Sequence, residues 1–85
     1  MLYRPKPPTI DAYQFRVDWE DDKENWLNWM PLLYNSGQII KVNDSRVIAA
    51  IDNKAIFAND YVYITEDGVK VIPEKVFESK YELVA

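Results

Sequence analysis

From Gln38 to Ile72 the chain is a succession of short apolar runs, "QIIKV", "RVIAAI", "AIFA", "DYVYIT" and "GVKVI", separated by Asn, Asp and Gly. Runs of this length, rich in Ile, Val and Tyr and bounded by turn formers, read as strands joined by tight connections. "NDS" links the first two. "DNK" holds Asn53, a residue that tolerates the left-handed conformation, and a further turn falls at Asn59-Asp60. Asp67-Gly68 is the strongest short-range hairpin signal in the chain. The second half is therefore an antiparallel sheet, and the first half must supply what covers it.

That first half holds one strand and one helix. "YRPKPP" (3–8) is an extended arm, because Pro5, Pro7 and Pro8 fix φ and lack amide donors. "TIDAYQFRV" (9–17) alternates, with Tyr13, Phe15 and Val17 on one face of a strand and Gln14 and Arg16 on the other. In "DWEDDKENWLNWMPLLYNSG" (18–37), Asp21 and Glu24 form a capping pair at a helix start. Trp26, Met30, Leu33 and Tyr34 then share one helical face, with Leu27 and Trp29 at its margins. Pro31 predicts a kink or break, followed by a short turn through "LLYN" that Ser36-Gly37 closes. "PEKVFES" reads as a single helical turn after Pro73, and "KYELVA" as a last strand with Tyr81 and Leu83 on one face. The expected fold is α+β in a single domain, residues 1–85 with an arm at 1–8. One amphipathic helix packs on a bent antiparallel sheet, with closure into a small barrel as a further option.

Composition narrows function. Eighty-five residues hold one core, and 48% apolar content with three Trp, six Tyr and three Phe excludes disorder. The chain has no cysteine and no histidine, which removes disulfides, thiolate or imidazole metal sites, and the common nucleophile–base pairs. Asp52, Asp60, Glu66 and Asp67 stand at turns, where they serve backbone geometry better than paired-carboxylate hydrolysis. A calcium loop begun at Asp18 fails: Lys23 stands in the glycine position and Trp29 in that of the final glutamate. With Gly37 and Gly68 as its only glycines, the chain has no phosphate cradle. A net charge of −4 with scattered lysines and arginines argues against nucleic-acid binding. No run approaches the ~18 apolar residues of a membrane span, and the N-terminus lacks the apolar core of a secretory signal. No cofactor or metal is expected.

The two ends resemble a family of small bacteriophage and prophage proteins. "YRPKPPTIDAYQF" is similar to its Tyr-Arg-Lys-Lys-Pro opening, which leads into a strand and an aromatic residue. "ANDYVYI", the later glycine and "VFESKYELV" are similar to its Gly-Asp-Tyr-Ile-Ile segment, Gly-Glu turn and Ile-Phe-Glu-x-x-Tyr-Glu ending. Asp60, Tyr61, Val62, Gly68, Phe77, Glu78, Tyr81 and Glu82 carry the likeness, which spans roughly residues 3–15 and 58–84. Asn59 replaces the family's glycine, and "KVIPEK" replaces its Tyr-Pro-Cys segment, so any chemistry of that cysteine is absent here. The resemblance implies a phage setting, the host cytoplasm and no established catalysis.

The expected role is binding. Five acids and Lys23 fill residues 18–24 together with Trp19, and Asp18, Trp19, Glu20, Asp21, Asp22 and Trp29 form the candidate protein-binding surface. A tryptophan beside carboxylates suits a contact hot spot, and the charges would speed encounter with a basic partner. The expectation is a non-enzymatic domain that modulates or inhibits a host protein, such as a DNA-binding or defence enzyme, without binding nucleic acid or membrane itself. Two competing readings are a structural or replication-accessory phage protein that self-associates through an edge strand, as a homodimer for example, and a small-molecule or nucleotide-binding barrel.

Overall fold

The computed structural model describes residues 1–4, 10–44 and 46–83. Among these described residues nine short strands, two α-helices and two 3₁₀ turns follow one another. The strands are β1 (Leu2–Arg4), β2 (Ile10–Asp11), β3 (Tyr13–Gln14), β4 (Ile39–Lys41), β5 (Val47–Ile51), β6 (Lys54–Phe57), β7 (Tyr61–Thr65), β8 (Gly68–Ile72) and β9 (Glu82–Leu83). The helices are α1 (Met30–Asn35) and α2 (Glu74–Lys80). The strands form three antiparallel sheets, β2-β1-β9, β3-β7-β8 and β4-β5-β6, so the α+β expectation holds. Among the described residues none of the sheets closes into the barrel that was a further option. Residues 5–8 of the expected arm, and Ser45 of the "NDS" turn, lie outside the described residues; Leu2–Arg4 is extended and pairs with β2 and β9.

The sheet β3-β7-β8 lies between two cores. Alternation along β7 sends Val62 into the larger one and Tyr61 into the smaller, and on the neighbouring segment Tyr13 and Ala12 part in the same way. The larger core gathers Tyr13, Phe15, Trp19, Leu27 and Met30 against Ile39, Ala49, Ile51 and Ile56 of the sheet β4-β5-β6. The smaller core is closed by α2. Its Phe77 is fully buried and stacks on Tyr61 at 3.9 Å and on Tyr81 at 4.5 Å between ring centroids. Two turns of helix form here rather than one, and the first begins at Pro73, whose carbonyl accepts the Phe77 N–H at 2.9 Å. Val17, expected inside, is 75% exposed: the chain turns away after Phe15 before alternation can bury it.

Local backbone chemistry explains the connections. Asp52 and Asn53 both take positive φ, 47° and 65°, as a two-residue hairpin loop requires. The β7–β8 turn uses Glu66 and Asp67, one position earlier than expected, and Gly68 opens β8 at φ +114°. Asn59 is also left-handed, at φ +73°, within the turn expected at Asn59-Asp60. Its N–H meets the Phe15 carbonyl at 2.6 Å, and the Phe15 N–H meets the Asp60 carbonyl at 2.8 Å.

The long helix expected from Asp21 does not form. Trp19–Asp21 and Lys23–Asn25 are separate 3₁₀ turns without side-chain caps, and Trp26 is extended at φ −65°, ψ 148°. Pro31 lies in the first turn of α1, so it starts a helix instead of breaking one. The predicted closure at Ser36-Gly37 is present. The Gly37 N–H reaches the Tyr34 carbonyl at 3.2 Å and the Gln38 N–H reaches the Leu33 carbonyl at 2.8 Å, the paired bonds of a Schellman end.

Candidate protein-binding surface

The acidic segment is a pair of tight turns held over the larger core by indoles. The Asp21, Asp22, Asn25 and Trp26 amides each bond three residues back, to Asp18, Trp19, Asp22 and Lys23, which gives 3₁₀ rather than α geometry. Trp19 anchors the first turn from below. It is 1% exposed, and its Nε1–H donates to the Ile48 carbonyl at 3.1 Å. Trp26 donates in turn to the Trp19 carbonyl at 2.9 Å, and the two rings stack at 5.7 Å. Phe15 lies 5.2 Å from Trp19, and Tyr34 meets both indoles edge-on. Trp19 is thus core, and its place in the expected contact surface is corrected. Sequence neighbours of one charge say nothing about the side on which an intervening indole falls.

The carboxylates divide into two groups. Glu20 accepts the Tyr34 hydroxyl at 2.7 Å and pairs with Lys41 at 3.2 Å. The Tyr34 bond, followed by Lys41, holds its carboxyl below the usual range, and the same bond raises the Tyr34 hydroxyl. Asp22 accepts the Tyr13 hydroxyl at 2.9 Å and the Asn25 amide at 2.6 Å. Burial first, then this bond and charge, push the Tyr13 hydroxyl well above its ordinary value. Glu20 and Asp22 are therefore structural ties between the acidic turns and the core.

Asp18, Asp21 and Glu24 are exposed, and among the described residues no side-chain hydrogen bond or ion pair engages them. Lys23, between them in sequence, lies over the rings of Tyr34 at 5.3 Å and Trp26 at 5.9 Å. Trp29 is half-buried against the larger core, at the position that precedes α1. Of the six expected contact residues, Asp18 and Asp21 remain free, Trp29 is partly available, Glu20 and Asp22 are engaged, and Trp19 is enclosed.

In the sequence Asp60 reads as a turn former and as part of the family likeness. It is 7% exposed, and its carboxylate accepts the Phe57 N–H at 2.9 Å while its own N–H returns to the Phe57 carbonyl at 3.1 Å. Burial is the main cause of its raised pKa, with the nearby Glu74 charge adding to it. The left-handed Asn59 just before it is the signal that marks this corner. Among the described residues no group of carboxylates is placed to hold a metal ion, and no helix is long and apolar enough to cross a membrane. Comparisons with family models, curated proteins and solved structures each gave no match.

Proposed function

We propose that this chain is a non-catalytic, phage-type domain that binds a protein of its bacterial host and modulates or inhibits it. The supporting observation is the rigid display of Asp18, Asp21 and Glu24. Two indole bonds and two tyrosine–carboxylate bonds fix the turns beneath them, while among the described residues these three carboxylates have no hydrogen-bond or ion-pair partner. Charges presented without ordering cost suit a basic groove, such as the phosphate-binding face of a DNA-binding or defence enzyme. Trp29 is the remaining aromatic candidate for the edge of that contact. The phage setting and the host cytoplasm rest on the sequence resemblance. The lack of cysteine and histidine in the chain, and the engagement of Asp60 by a main-chain amide, favour docking over catalysis.

A capture experiment from host lysate tests this reading. Wild-type protein should retain a partner that the triple variant D18N/D21N/E24Q loses, and retention should weaken as salt rises. Recovery of every partner in equal amounts by the two proteins, with near-ultraviolet circular dichroism unchanged, would rule the acidic surface out.

A further inference from the structure

Lys23 lies in an aromatic corner that is held in place without it. The Trp26 indole stacks on Trp19 at 5.7 Å, and its N–H donates to the Trp19 carbonyl at 2.9 Å. Tyr34, from α1, meets Trp26 at 5.2 Å between ring centroids with the planes 66° apart, and its hydroxyl donates to Glu20 at 2.7 Å. Two rings inclined in this way form adjoining walls, and aromatic faces attract cations. The Lys23 ammonium lies over both, 5.3 Å from the Tyr34 centroid and 5.9 Å from that of Trp26.

The lysine fills this corner loosely. It is exposed, and among the described residues no hydrogen bond or ion pair engages its ammonium, so the rings alone hold it. Both distances exceed the ~3.5–4.0 Å of van der Waals contact and approach the ~6 Å limit of the attraction. A primary ammonium is strongly hydrated and gains little at that range. Methyl groups on the nitrogen, on bonds of about 1.46 Å, would carry carbon toward both rings and shed the hydration. The charges nearby are negative. Glu20 stands behind Tyr34, with its own cation Lys41 already paired at 3.2 Å, and Asp18, Asp21 and Glu24 of the same two turns are free.

We propose that the Trp26–Tyr34 corner is a binding site for a methylated ammonium, and that Lys23 is a resident cation which the ligand replaces. The surrounding carboxylates disfavour a ligand that carries a phosphate beside its cation. The occupant is therefore a trimethylated lysine side chain rather than a phosphocholine headgroup. The site adjoins the acidic surface but uses other side chains, and it does not depend on that surface engaging a host protein.

Titration with tetramethylammonium chloride at constant ionic strength, followed through the Trp26 indole and Tyr34 ring signals in NMR spectra, tests the site. Saturation is expected in the millimolar range, and Lys23→Ala should tighten binding about two- to fivefold by removing the competitor. Choline should bind and its uncharged carbon isostere dimethylbutanol should not, because the rings select charge as well as apolar bulk. Tyr34→Leu removes one wall and should abolish the shift of the Trp26 indole, with near-ultraviolet circular dichroism checking that the core remains packed. N-acetyl-trimethyllysine amide should bind more tightly than phosphocholine. Absence of saturation in both wild type and Lys23→Ala would overturn the proposal, as would equal binding of choline and its isostere. A reversed order of trimethyllysine and phosphocholine would overturn the choice of occupant.

Discussion

Trp19 stands among the densest acids of the chain and is nevertheless enclosed on every side. Its indole fills the larger core, and its N–H satisfies a carbonyl of β5, so replacement removes both volume and a bond. Trp19→Phe should lower the unfolding free energy by about 2 kcal/mol in chemical denaturation. Asp60 makes the opposite kind of contribution. Its pKa is raised in the folded state, so the native protein binds that proton more tightly than the unfolded chain does. Its contribution to stability is then largest below the ordinary value of 3.8 and is lost as pH rises through the raised value. Asp60→Asn keeps an oxygen to accept the Phe57 N–H and cannot ionise. Stability curves at pH 3 and pH 7 should show the variant gaining on wild type at the higher pH, and a constant difference would refute the assignment.

Helix α1 shows how position decides what a proline does. In a helix interior, removing Pro31 would relieve a penalty of about 3 kcal/mol; in the first turn it leaves no such strain to relieve. Pro31→Ala should therefore destabilise slightly, by about 0.5–1 kcal/mol, through a freer unfolded chain. Gly37 ends the same helix at φ +82° with open space where a side chain would go. Gly37→Ala should cost about 1–2 kcal/mol from backbone strain alone, read as a shift in denaturation midpoint. The strands of the second half were legible in the sequence because alternation and turn residues agree there. The acidic segment was not, because acids three residues apart suit a capped α-helix and a pair of 3₁₀ turns equally well. What decided between them was Trp19, whose burial pulls the chain inward before a helix can propagate. The half of the expected surface that was lost, Trp19 with Glu20 and Asp22, was lost to tertiary partners in Ile48, Tyr34, Lys41 and Tyr13, all distant in sequence.

At the scale of the whole molecule, the described residues form two cores that share one sheet. All three tryptophans belong to the larger core, and Phe77 belongs to the smaller. If the shared sheet makes the domain a single cooperative unit, damage on one side must register on the other. Phe77→Ala should cost about 3–5 kcal/mol, and tryptophan fluorescence should report the same shifted transition as far-ultraviolet circular dichroism. Separate transitions by the two probes would show that the cores unfold independently. The adjacent residues Ala12 and Tyr13, committed to opposite cores, have a consequence for descent. Losing or gaining one residue between Ile10 and Phe15 would exchange an alanine for a tyrosine in both interiors at once. Length changes in related chains should therefore be purged from this segment and accumulate at the exposed Glu66-Asp67 turn.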